Sequence, residues 1–205
     1  IFVDSSVTQQ LIFDGGDDGD TFIIAGGASN SVIRGGSGND QLVGGSTAGI
    51  HYYGEAGDDS FVGGGASATL DMGTGKNKVS TGNGDVLINV TGNGEVDIKG
   101  GSGYDRVYME ITSDKDLIIG DKLFNYGGIL VKTDDLVDMI HVRDLSKTTT
   151  TLKTNALGDS WGSTGLRVVS DGVVDVSDLT FIAPSAKLSI DADGLIGALS
   201  TEVEE

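Results

Sequence analysis

The chain has 205 residues, enough for one or two domains, and among them are 34 glycines, one proline and no cysteine. This excludes collagen, a proline-rich linker and a disulfide scaffold, and the scattered Val, Ile, Leu and Phe are too many for a disordered tail. With 31 acidic against 13 basic side chains the net charge is −18, which repels nucleic acid and anionic membranes and attracts divalent cations.

No apolar run reaches the length of a membrane-spanning helix, so membrane insertion is not expected. The chain opens at Ile1 without a basic or apolar leader and closes on Thr201-Glu202-Val203-Glu204-Glu205. It reads as a monomeric fragment of a longer protein.

A nine-residue frame fits the first half, with repeats starting near Ser6, Gly15, Gly26, Gly35, Gly44, Gly54, Gly63, Met72, Thr81, Thr91 and Gly100. It slips at Ile24-Ala25, Tyr53 and Val90. The clearest units are Gly35-Gly36-Ser37-Gly38-Asn39-Asp40-Gln41-Leu42-Val43 and Gly100-Gly101-Ser102-Gly103-Tyr104-Asp105-Arg106-Val107-Tyr108. Both fit G-G-x-G-x-D-x-U-x, with U a large apolar residue, the signature of calcium-binding parallel β-solenoids. Glycines supply positive-φ turns that aim carbonyl oxygens at one point. The Asp adds a hard anionic oxygen that suits Ca²⁺, and the apolar residue faces inward between two outward neighbours.

The eighth position of the frame reads Phe13, Phe22, Ile33, Leu42, His51, Phe61, Leu70, Val79, Ile88, Ile98 and Val107. Only His51 breaks the apolar column, and the extra Tyr53 implies a bulge that turns Ile50 or Tyr52 inward. The sixth position reads Asp20, Ser31, Asp40, Gly49, Asp59, Ala68, Asn77, Val86, Val96 and Asp105, so acidic residues alternate with non-ligands and then fade.

These repeats resemble the RTX (haemolysin-type) family. The resemblance covers about half the chain. It implies a β-roll in which two nonapeptides make one coil, so that Asp20, Asp40 and Asp59 stack on one edge with Asn77 a weakened fourth member. Ser31, Gly49, Ala68 and Val86 then fall on the other edge without metal, and Asp105 joins them unless the slip at Val90 resets the parity. The candidate calcium set is Gly15, Gly16, Asp18 and Asp20; Gly35, Gly36, Gly38 and Asp40; Gly54, Gly57, Asp59 and Asn77; and Gly101, Gly103 and Asp105. A member with a full set of sites would carry Asp on both edges, and this chain does not.

Charge arithmetic favours a cation. Coils stack about 4.8 Å apart, and two carboxylates at roughly 5 Å repel by about 3 kcal/mol at an effective dielectric near 20. A ladder of them needs a cation or must protonate. Ordinary Gly/Asp/Asn turns with solvated acids are the alternative reading of the same residues.

Between Gly73 and Lys99 a Val replaces the ligand Asp in Thr81-Gly82-Asn83-Gly84-Asp85-Val86-Leu87-Ile88 and Thr91-Gly92-Asn93-Gly94-Glu95-Val96-Asp97-Ile98. The inward stripe becomes two residues wide, as a β-helix needs when packing replaces metal. After Met109 the nonapeptide is lost. Asp116–Gly120, Ile129–Lys132, Leu136–Arg143, Leu166–Ser170, Val173–Val176 and Lys187–Ile190 read as short strands, punctuated by Tyr126-Gly127-Gly128, Asp171-Gly172 and Asp193-Gly194. The expectation is an all-β, right-handed parallel β-solenoid, with a calcium β-roll over 1–108 passing into a wider, three-faced β-helix over 109–205.

Other motifs are weak. Gly158-Asp159-Ser160-Trp161-Gly162 fits the nucleophile elbow G-x-S-x-G, but no helix signal follows and both His51 and His141 lie upstream. Asp191-Ala192-Asp193-Gly194 resembles the start of an EF-hand loop without its later ligands and reads as a β-turn. Asp14, Asp17, Asp18 and Asp20 form an acidic cluster that a calcium turn explains better than a glycosidase pair. Arg34, Arg106, Arg143 and Arg167 show no clustering along the sequence.

The sequence-level expectation is therefore a non-enzymatic, calcium-binding spacer of a large secreted or cell-surface bacterial protein, folding on extracellular calcium. Any glycan or cell-surface ligand would be held by other parts of that protein. A carbohydrate-active β-helix enzyme or its polysaccharide-binding module is the alternative.

Overall fold

The computed structural model describes residues 1–27, 29–91, 94–111, 117–120, 123–126, 129–133, 139–145, 149–154, 165–178, 180–181, 188–197 and 200–201. The first half runs through β1 (Phe2–Val3), β2 (Ile12–Gly16), β3 (Thr21–Ile24), β4 (Val32–Ser37), β5 (Gln41–Gly44) and β6 (Ile50–Ala56). It continues through β7 (Ser60–Val62), β8 (Ala68–Asp71), β9 (Gly75–Ser80), β10 (Val86–Val90), β11 (Gly94–Lys99) and β12 (Arg106–Ile111). From β1 to β10, each strand pairs in parallel with the strand two places further on. The result is a two-faced stack, the lower part of a β-solenoid of about seven turns.

The apolar eighth position builds the core. Phe13, Ile33, Tyr52, Leu70, Ile88 and Val107 lie in one column on the even-numbered strands. Phe22, Leu42, Phe61, Val79 and Ile98 form the facing column on the odd-numbered ones. All but Phe13 are buried, and the Tyr52 and Phe61 rings meet across the core with centroids 5.0 Å apart. Ile50 and Tyr52 are both inward and His51 lies between them on the outer side. Ile50 pairs with Ala68, so Ile50, not Gly49, occupies the sixth position. The extra residue therefore sits in the preceding loop, where Gly49 takes φ 77°.

Beyond β12 come β13 (Leu117–Gly120), β14 (Leu123–Tyr126), β15 (Ile129–Lys132), β16 (Met139–Asp144) and β17 (Thr149–Thr154). They are followed by β18 (Gly165–Asp178), β19 (Thr180–Phe181), β20 (Leu188–Ile196) and β21 (Ser200–Thr201). One face stacks without interruption as β12–β16–β18–β20. On the other face the parallel order is broken by an antiparallel meander. β15 stacks on β11, β14 runs antiparallel to both β15 and β13, and β17 resumes parallel stacking on β13. β18 turns the corner between faces at Asp171-Gly172 without ending, with a register shift between Ser170 and Val173. The final turns carry three stacked segments, at Leu166↔Leu188, Val174↔Leu195 and Thr180↔Ser200. Asp191 to Gly194 lie inside β20, so that stretch is strand and not an EF-hand loop or a turn.

Turn backbones of successive coils touch directly, which is why the repeat needs glycine. A Cβ on Gly57, at φ 144°, would overlap the carbonyl oxygen of Gly38 in the coil below. Gly65 has open space and an ordinary φ. Gly57→Ala is expected to cost about 2–4 kcal/mol, from the left-handed backbone and the clash together. Gly65→Ala should lie within about 0.5 kcal/mol of wild type. Urea unfolding of the two variants checks the contrast, and equal costs would refute this account of the turns.

Candidate metal centre

The turns that join the even-numbered strands to the next odd-numbered ones form one edge of the solenoid. Asp20, Asp40, Asp59 and Asn77 stack there, one per coil, as the parity of the repeat predicts. Each side chain caps the coil below: Asp40 Oδ1 accepts the Asp20 N–H (2.7 Å), Asp59 Oδ1 that of Asp40 (2.9 Å) and Asn77 Oδ1 that of Asp59 (2.8 Å). The spacings are 20, 19 and 18 residues, so the slips in the frame are absorbed in loops without disturbing the column. Asp40, Asp59 and Asn77 are 2%, 1% and 1% exposed.

A second ladder runs beside it on the solvent side in the opposite sense. Asn39 Oδ1 accepts the Asp58 N–H of the coil above, and Asp58 Oδ1 accepts that of Lys76. Successive turns are thus held from both directions. The sequence reading missed this outer ladder, although its signal is the Asn or Asp at the fifth repeat position.

The second side-chain atom of each buried Asx distinguishes the rungs. Asn77 turns its amide into a donor and binds the Met72 carbonyl at 3.1 Å. Asp105 sits on the opposite edge, 0% exposed, with Oδ1 accepting from Val86 N–H at 3.2 Å. Its Oδ2 accepts from the Thr81 hydroxyl (2.6 Å) and Gly101 N–H (2.9 Å). Asp40 Oδ2 and Asp59 Oδ2 are buried with no hydrogen-bond partner. An unsatisfied buried carboxylate oxygen is costly; a proton would remove its charge and a cation would offset it.

The glycines make the room. A Cβ on Gly35 or Gly54 would run into Oδ2 of Asp40 or Asp59 in the same turn, and one on Gly15 would meet both Asp20 Oδ2 and the Gly35 carbonyl oxygen of the next coil. Gly16, Gly36, Gly38 and Gly57 take positive φ as the repeat requires. Gly15, Gly35, Gly54, Gly101 and Gly103 do not, and are needed for space instead. Gly101 and Gly103 press against the Gly82 and Gly84 carbonyls of the coil below. Asp18 lies on the surface of the first turn, in line with glycines of later coils.

The donor chemistry is all oxygen, carboxylate plus carbonyl, which fits a hard cation such as Ca²⁺. Among the described residues no three carboxylate or imidazole groups converge, so carbonyls would supply most of the ligands. Asp40 and Asp59 are the residues whose chemistry asks for a cation. Both oxygens of Asp105 are already engaged by protein donors, and Asn77 is neutral and closes the column. The G-x-S-x-G segment at 158–162 lies outside the described residues. No family model, curated protein or solved structure matches the chain.

Burial pushes the Asp59 carboxyl up to about 6, with the charges of Asp40 and Asp58 adding to the rise and the Asp40 N–H opposing it. In the metal-stripped protein the folded form therefore holds a proton between about pH 4 and pH 6 that the unfolded chain, near 3.9, has released. The favourable contribution is fully present below about pH 4 and is lost as pH rises through about 6. Metal-stripped protein should melt at a higher temperature at pH 5 than at pH 7.5, and Asp59→Asn should remove most of that difference. A melting temperature that is flat across this range, or a variant that keeps the wild-type slope, would count against it.

Proposed function

We propose that this chain is a calcium-stabilised structural module of a large secreted or cell-surface bacterial protein, one that folds on meeting extracellular calcium. The observation that carries this reading is the pair of buried, unpartnered Oδ2 atoms of Asp40 and Asp59, where Asn77 in the same column and Asp105 on the opposite edge are satisfied by protein groups. A divalent cation bound there neutralises carboxylates that repel each other, and supplies the charge that Thr81 and Gly101 supply only as hydrogen bonds to Asp105. The site exists only once coils have stacked, so binding free energy becomes folding free energy. The resemblance of the repeats to the RTX family points the same way. The absence of cysteine suits a chain whose cross-links would be ionic.

In this reading Asp40 and Asp59 are ligands, and the turn carbonyls around Gly35 and Gly36 complete the donor set. The module acts as a spacer, with its rigidity switched on outside the cell.

At calcium a hundredfold above its dissociation constant, stabilisation reaches about 2.7 kcal/mol. That corresponds to a rise of about 5–10 °C in melting temperature for a chain of this size. Far-UV circular dichroism and thermal melts of metal-stripped protein, titrated with Ca²⁺ and separately with Mg²⁺, test the proposal. Calcium should raise the melting temperature and magnesium should do so far less. The Asp40→Asn/Asp59→Asn double variant should be insensitive to calcium and more stable than metal-free wild type. Equal responses to both cations would reduce the effect to general screening of the −18 charge, and no response would end the proposal.

A further inference from the structure

Among the described residues, three of the arginines share one face of the solenoid, away from the Asp column. On the uninterrupted face, the outer side of three consecutive strands carries Arg106, Tyr108 and Glu110 on β12, Met139, His141 and Arg143 on β16, and Arg167 on β18. The registers Tyr108↔His141↔Arg167 and Glu110↔Arg143 place all three guanidiniums on one patch. One rung up and two residues along separates Arg143 from Arg167 by about 8 Å between Cα atoms. Both guanidiniums act on the His141 ring, which burial first and then these two charges hold below its ordinary pKa. Arg143 reaches the Tyr108 hydroxyl, which donates to Glu110 at 2.8 Å. His141 meets Tyr108 edge-on at 5.2 Å, and its Nε2 is buried without a hydrogen-bond partner.

Three guanidiniums therefore face one carboxylate on a chain of net charge −18, with Asp191 at the margin of the rung above. None of the three makes an ion pair among the described residues. A planar guanidinium without a counter-ion on an exposed strand is suited to bidentate capture of a carboxylate or sulfate.

Directly below Arg106 the same face opens into a shallow groove of about 270 Å³, lined in part by Ser67, Thr69, Asp85, Leu87 and Arg106. Hydroxyls and a carboxylate around a small apolar floor are the groups that suit a polyhydroxylated ligand. Asp85 disfavours a ligand charged at every residue, such as a polyphosphate or an acidic peptide, whereas a glycan can turn hydroxyls to Asp85 and carry its acidic groups up to the arginines. Charge density also separates the candidates. DNA carries a charge every ~1.7 Å, whereas this face offers about one cation per strand spacing of ~4.8 Å.

We propose that the β12–β16–β18 face and the groove beneath Arg106 bind an acidic polysaccharide. Its carboxylates or sulfates would meet Arg106, Arg143 and Arg167, and its hydroxyls would meet Ser67, Thr69 and Asp85. The proposal is independent of the calcium reading, because these side chains belong to a different face from the Asp column.

Titration calorimetry of the whole chain with short oligogalacturonate and with chondroitin sulfate oligosaccharides tests it, using neutral dextran and poly-glutamate for comparison. Binding is expected for one or both acidic glycans, weakening with added salt. Arg143→Ala/Arg167→Ala should lose at least tenfold in affinity, and Ser67→Ala/Thr69→Ala severalfold, with unchanged circular dichroism. Asp40→Asn/Asp59→Asn, measured in the same buffer, should bind as wild type, which excludes bridging through column-bound metal. The proposal is overturned if neither glycan binds, if poly-glutamate binds as well as the glycans, or if the arginine variants bind as wild type.

Discussion

The lower stack depends on one interaction: along its Asx column an inward side chain accepts the backbone N–H of the turn below. Between strands that task belongs to the sheet ladder, but at the edges the chain changes direction and the ladder stops. Asp40, Asp59 and Asn77 supply the missing acceptor on one edge. Ser31 does so on the other, its hydroxyl oxygen taking the Leu11 N–H at 3.0 Å, and Asp105 does so for Val86. An Asx side chain is short and planar enough to reach one rung down. Having reached, it carries a second polar atom into the same buried space.

What becomes of that second atom divides the solenoid. An amide donates it to a carbonyl, as in Asn77. A carboxylate can be met by donors from the turn below, as Thr81 meets Asp105, and the corresponding residues below Asp40 and Asp59 on the other edge are Gly15 and Gly35. Glycine at that position gives the carboxylate room and no donor. Above Asn77 the difficulty disappears, because Val96 and then Val131 take the column. The strands lengthen at the same place, from three residues in β7 to six in β9 and β11, so backbone pairing replaces side-chain capping. The change from Asp-rich to Val-rich repeats is thus a change in how edge amides are satisfied.

Much of this was legible before the structure. The apolar column from Phe22 to Val107 and the parity that stacks Asp20, Asp40, Asp59 and Asn77 follow from a nine-residue period, and β15 from alternation alone. The features that escaped depend on what lies a coil away. Asp40 and Asp105 occupy the same position of the same nine-residue pattern, yet one oxygen of Asp40 is orphaned while both of Asp105 are held, and the difference is the Gly101 N–H of its own turn together with Thr81, 24 residues upstream in the coil below. The shift from Gly49 to Ile50 is set by loop length. The meander of β13, β14 and β15 was invisible because an antiparallel hairpin and a parallel rung have the same short alternating signature. Arg106, Arg143 and Arg167 look unrelated along the chain, and meet only because the meander takes up the intervening residues and lets β16 stack directly on β12.

The same logic bounds what calcium can do. The energetic demand for a cation is set by rungs that combine Asp in the column with glycine beside it, and not by the length of the repeat tract or by the acidic surplus. Among the described residues Asp40 and Asp59 meet that condition with unpartnered oxygens, Asp20 lies at the bottom of the column, and Asn77 terminates it. Most of the 31 acidic side chains are outside the column, where water screens them. Cation binding would therefore act on the first turns of the stack, while the turns above Asn77 are held by Val, Ile and Leu packing that needs no ion. A chain built this way joins a carboxylate-lined end to an apolar end through one neutral residue, and the amide of Asn77 is what lets the two chemistries share a column.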